Sequence, residues 1–132
     1  MKRPAIAFRK ISPLAAALCI LLAGCASQRV LLCGGRIHNA SGRELRDIKI
    51  AHQPTGQMVM SNLLPAGGDV DLAFTDLEMK ATTATLEWYD TNRGPRQVTL
   101  ALPRQSGTGG PQRLVYEING AGQATARLVP CH

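Results

Sequence analysis

The chain has 132 residues, 18% of them charged and 4% aromatic, with a formal charge of +6. That length holds one hydrophobic core and excludes a second independent one. Four of the fifteen bases, Lys2, Arg3, Arg9 and Lys10, precede an apolar run; the remaining eleven face nine acids and form no block able to track nucleic-acid phosphates.

Residues 1–10 are basic, Ile11 to Ala23 is a short apolar stretch broken by Pro13, and small residues close it. This is the layout of a secretory signal peptide over residues 1–24, too short to span a bilayer as a helix. The run ends Leu22-Ala23-Gly24-Cys25, which resembles the lipobox of bacterial outer-membrane lipoproteins. The resemblance covers residues 1 to about 27 and implies that Cys25 becomes the first mature residue and carries a diacylglycerol. Two or three acyl chains, at about 0.8 kcal/mol per buried methylene, make such an anchor permanent. Ala26 stands where an Asp would favour retention at the inner membrane, so the resemblance implies the outer membrane, with the domain facing the periplasm.

Residues 25–29 then form a lipidated tether and 30–132 the folded domain. The seven residues from Ala26 to Leu32 reach about 25 Å when fully extended, which keeps the domain close to the bilayer. Cys19 leaves with the signal and Cys25 is taken by the lipid, leaving Cys33 and Cys131 in an oxidising compartment. One disulfide joining the two ends of the domain is the expectation, since two distant cysteines beside His132 fall short of a closed metal site.

From residue 30 onward the apolar residues alternate with period 2, interrupted by Gly, Pro, Asn and Asp. Strands are predicted in turn from Val30 to Ile37, from Arg46 to Gln53 and from Gln57 to Leu63. Val70, Leu72 and Phe74 then share one face, as do Ala84, Leu86 and Trp88, and next Val98, Leu100 and Leu102. The last two strands carry Leu114, Tyr116 and Ile118, then Ala124, Ala126 and Leu128. Turn chemistry makes hairpins at Pro54-Thr55-Gly56, between Asp90 and Pro95, and at Asn119-Gly120-Ala121-Gly122. Eight short strands of this kind predict an all-β, small antiparallel β-sandwich, immunoglobulin-like or transthyretin-like, without the interior cysteine pair of an antibody domain. Trp88 continues the buried face and Tyr89 points outward. The Gly-rich stretch from Ser106 to Pro111 is read as a crossover loop, since no helix or Lys-Ser/Thr pair follows to make Gly107, Gly109 and Gly110 a phosphate cradle.

Chemistry is sparse in this sequence. His38, His52 and His132 stand in no nucleophile motif, and Asp69 and Asp71 share a strand face that reads as a solvated exterior. His52 with Met58 and Met60, and Met79 farther off, is a soft ligand set suited to Cu(I). It requires a three-residue hairpin loop pairing Gln53 with Gln57, which sets His52 opposite Met58 and Ile50 opposite Met60; a shift of one residue puts both methionines on the other face. Arg43, Arg46, Arg93, Arg96, Arg104 and Arg113 could instead meet anionic envelope lipid. The leading expectation is a lipid-anchored, non-enzymatic periplasmic lipoprotein, an interaction or accessory subunit of an envelope assembly. It has a membrane and an envelope protein as partners, no nucleic acid and no cofactor. A ligand-binding module for Cu(I) or anionic lipid is the alternative.

Overall fold

A computed structural model describes residues 30–74, 78–104 and 110–131. Eight strands fill them: β1 (Leu32–Ala40), β2 (Leu45–Gln53), β3 (Met58–Leu64), β4 (Asp69–Leu72), β5 (Thr83–Asp90), β6 (Gly94–Ala101), β7 (Gln112–Asn119) and β8 (Ala124–Pro130). They form two four-stranded sheets, in the orders β4-β1-β7-β8 and β3-β2-β5-β6, which is the expected sandwich. The three expected hairpins join β2 to β3, β5 to β6 and β7 to β8. Pairing is antiparallel throughout except between β1 and β7, which run parallel.

Alternation accounts for the core. Leu32 and Ile37 of β1, Leu114, Tyr116 and Ile118 of β7, Leu45, Ile48 and Ile50 of β2, and Ala84, Leu86 and Trp88 of β5 are buried between the sheets. On β2 the alternation is interrupted by a bulge between Arg46 and Lys49, where Asp47 takes φ 50°. The extra residue lets Leu45 and Ile48 both face inward, and Asp is among the few side chains that tolerate the left-handed region. Trp88 supplies volume rather than a hydrogen bond, because its indole Nε1 meets no acceptor among the described residues.

Gly35 has a packing role that alternation alone does not reveal. A Cβ there would lie 2.9 Å from Cε2 of Phe74 and 3.2 Å from Cβ of Leu72, so the missing side chain is the space Phe74 occupies. Phe74 in turn lies flat against His52, ring centroids 4.1 Å apart.

The ends of the strands differ in character. At one end Asn39, fully buried, donates from Nδ2 to the carbonyls of Arg43, Leu64 and Pro65 and accepts at Oδ1 from the Ser41 amide and hydroxyl. This one side chain ties the β1–β2 turn to the β3–β4 turn across the sandwich. At the other end Cys33 and Cys131 meet at disulfide distance, Cα atoms 6.5 Å apart, linking the start of β1 to the residue after β8 on either side of β7.

Candidate functional site

The hairpin that decides the copper arrangement closes one residue earlier than expected. Alternate residues of a central strand bond to opposite neighbours, and Gln53 is committed to β5: its carbonyl accepts from the Thr82 amide at 2.8 Å. The closing bonds to β3 therefore fall on His52, whose amide donates to Gln57 O at 2.7 Å and whose carbonyl accepts from Gly56 at 2.9 Å. The loop is Gln53 to Gly56, with a cis Gln53–Pro54 bond and Gly56 at φ 78°.

The resulting register sets Ala51 against Met58 and Lys49 against Met60. Every β3 side chain thereby changes face relative to the expectation. Met58 and Met60 point outward, 51% and 72% exposed, while His52 is buried at 3%. His52, Met58 and Met60 thus do not converge, and Met79 packs against the core behind Val30. Among the described residues no cluster of three His, Cys, Asp or Glu side chains could hold a metal ion.

His52 is instead part of the core's polar bookkeeping. Its Nε2 shares a 2.6 Å hydrogen bond with the Tyr116 hydroxyl. Burial pushes the Tyr116 phenol well above its ordinary pKa, so it stays protonated and available to this bond. Tyr116 and His52 come from opposite sheets, and their bond pins the two layers together.

The outer face of β4-β1-β7-β8 is a lattice of ions. Arg36 Nε donates to Asp71 at 2.9 Å, His38 Nδ1 lies 2.6 Å from Asp69, and Arg127 lies 3.6 Å from Glu117. Asp69 and Asp71 do share a face, each engaged by its partner across the β1–β4 ladder. Val115 is buried beneath this lattice although it points outward, between Arg36 and Arg127 in the register, the arrangement in which arginine stems cover apolar surface.

The outer face of the other sheet is less polar. Rows across it read Met58–Ala51–Thr85–Thr99, then Met60–Lys49–Glu87–Gln97, then Leu63–Arg46–Tyr89–Pro95. Met58, Met60, Leu63 and Tyr89 are the large exposed apolar side chains of this face, Tyr89 at 43% as its position next to Trp88 predicts. A shallow depression beside the β2 bulge is lined by Asp47, Glu87, Tyr89, Pro95 and Arg96.

Arg43 and Asp90 form the most enclosed ion pair. Arg43 donates from Nε and Nη2 to the Asp90 carboxylate, at 3.1 and 2.9 Å, and the Asn92 amide donates to it at 2.9 Å. These bonds outweigh the burial that opposes charge and bring the Asp90 carboxyl down to about 2. A depressed carboxyl contributes stability that is complete above its unfolded value near 4 and is lost as pH falls through 2. Asp90→Asn is therefore expected to be less stable than the parent by roughly 2 kcal/mol at neutral pH, with the gap closing between pH 4 and pH 2, as read from urea midpoints.

Cys25, His132 and the glycines Gly107 and Gly109 lie outside the described residues. Nothing in the sequence singles out Asn39, whose role is visible only once the turns it bridges are placed, or Lys80, which is exposed.

No protein-family model and no curated protein matches the chain. An NMR structure of a protein from Eubacterium rectale is similar, at 13% identity and a TM-score of 0.46, over 80% of this chain and 92% of that one.

Proposed function

We propose that the protein is a lipid-anchored, non-enzymatic envelope lipoprotein whose sandwich acts as an interaction or accessory subunit at the periplasmic face of the outer membrane. One observation carries the interaction reading: Met58, Met60, Leu63 and Tyr89, all exposed, project from the outer face of the same sheet. Exposed apolar side chains gathered on one face favour a protein partner, whereas the same number scattered would mean little. The opposite outer face, with Arg36, His38, Glu117 and Arg127 already engaged, offers a partner less.

The anchoring reading is supported by the sequence around Cys25 and by where the core begins. Val30, five residues on, is already 4% exposed, so the tether has little slack. The non-enzymatic reading is supported by His52, which is buried between the sheets with its Nε2 bonded to the Tyr116 hydroxyl.

Photocrosslinkers placed at Met60 and at Tyr89 in intact cells test the proposal. One dominant protein adduct shared by both positions, and absent from a crosslinker at Arg127, is the expected result. Diffuse adducts, or a partner trapped from Arg127 alone, would count against it.

A further inference from the structure

We propose that the end of the sandwich from which the N-terminal chain departs is a headgroup-binding surface, where Lys80, Arg104 and Arg113 take the phosphates of anionic lipids around the exposed Leu31. The inference rests on the anchored reading, since it takes Cys25 as the point of membrane attachment.

Pairing divides the basic side chains into two sets. Arg36, Arg43, Arg46, Lys49 and Arg127 each hold a carboxylate, from Asp71, Asp90, Glu44, Glu87 and Glu117 respectively. Lys80, Arg93, Arg96, Arg104 and Arg113 have no such partner among the described residues. A base already neutralised at close range has little left for a lipid phosphate, which removes Arg43 and Arg46 from the candidate lipid contacts.

Backbone bonds place three of the free bases together at the tether end. The Val30 carbonyl accepts from Met79 at 2.8 Å, Leu31 bridges to Glu78, and the Leu31 carbonyl accepts from Gln112 at 2.7 Å. Leu31 therefore lies between the segment leading to Lys80 and the start of β7 at Arg113. Leu102 donates to the Thr82 carbonyl at 2.9 Å, and Lys80 and Arg104 each lie two residues beyond that bond on antiparallel chains. Glu78, the acid of this group, is itself engaged. Leu31 is 44% exposed, with Lys80 and Arg113 on the segments that flank it and Arg104 level with Lys80; Arg113 also borders the outer-face depression lined by Arg36, Val115 and Arg127. That is the composition an interfacial surface presents to lipid: an apolar tip for the acyl boundary and cations at phosphate depth.

Reach separates this end from the other. Five residues from Cys25 to Val30 extend about 17 Å, whereas the nine residues of β1 run about 30 Å from the tether end to the far end. The remaining free bases, Arg93 and Arg96, converge beside Gly122 at that far end, which a tether this short cannot turn end-on to the bilayer.

The full chain, purified from membranes, is reconstituted into phosphatidylcholine vesicles with and without phosphatidylglycerol, carrying a photocrosslinker at Leu31 or at Arg93. Flotation with the vesicles, lost in Cys25→Ser, checks the anchor; failure to float overturns the anchored reading and this inference with it. Given flotation, adducts from Leu31 should enrich phosphatidylglycerol about threefold over its share of the bilayer. The enrichment should vanish in the variant Lys80→Gln, Arg104→Gln, Arg113→Gln, and in the unaltered chain at salt high enough to shorten the Debye length to about 3 Å. Adducts that merely follow bilayer composition, or lipid adducts from Arg93 in place of Leu31, would overturn the headgroup surface and leave the anchor standing.

Discussion

A Cys33→Ser variant is expected to lose about 4 to 5 kcal/mol of unfolding free energy. The two cysteines are separated by 98 positions, so the cross-link closes nearly the whole folded chain and removes a correspondingly large share of the unfolded ensemble. Its place in the fold adds to the effect. β1 is held through β4 from Gly35 onward and through β7, and Cys33 sits at the register shift of the β1–β7 ladder between Leu32 and Gly34. The bridge ties the start of β1 to the end of β8 across β7, beyond the Leu31–Gln112 and Cys131–Pro111 backbone bonds that extend the two ladders. Against a total stability of about 5 to 15 kcal/mol for such a domain, the loss is a large fraction. Urea midpoints should therefore coincide for Cys33→Ser and for the reduced parent, both well below the oxidised parent. Equal midpoints for oxidised and reduced parent would show that the pair is not bonded in solution.

Asn39 should also give a large loss. Its amide serves the carbonyls of Arg43 at 2.6 Å, Leu64 at 3.0 Å and Pro65 at 3.1 Å, in a position with no exposure to water. Truncation to alanine strands those carbonyls and the Ser41 donors together, and each buried group left unpaired costs about 1 to 3 kcal/mol. The expected penalty for Asn39→Ala is about 3 kcal/mol. Asn39→Asp separates hydrogen bonding from volume: it keeps the shape and both Ser41 contacts but replaces the donors with a carboxylate aimed at carbonyl oxygens. It should be less stable than Asn39→Ala at neutral pH, measured by thermal or urea unfolding. The reverse order would mean that Asn39 acts by filling space.

Alternation made the strands legible, because a half-buried strand writes its two faces directly into the sequence; Leu86, Trp88 and Tyr89 lie where that pattern puts them. The cysteines were legible by elimination. The β2–β3 register was not, since Pro54, Thr55 and Gly56 are compatible with loops of more than one length, and the choice was made by β5. Which face of β3 is wet depended on the Thr82–Gln53 bond, a contact between residues far apart in sequence. The bulge at Asp47 escaped for a related reason: it preserves burial on both sides while breaking the alternation that would announce it. The parallel β1–β7 pair is likewise a matter of topology, and nothing in either strand's pattern distinguishes it from an antiparallel one. For the candidate surfaces, the sequence lists the arginines alike, and only the salt bridges separate Arg43 and Arg46 from Arg104 and Arg113.

The short tether, the orientation of the sandwich and the headgroup surface all follow from the proposed lipidation of Cys25. Intact mass of the mature protein, taken together with fractionation of cells carrying the parent chain or Cys25→Ser, tests it most directly. The parent should begin at Cys25, carry the mass of a diacylglyceryl group, and sediment with outer membranes, while Cys25→Ser loses both the added mass and the membrane association. An unmodified N-terminus, or a parent chain found in the soluble fraction, would contradict the account.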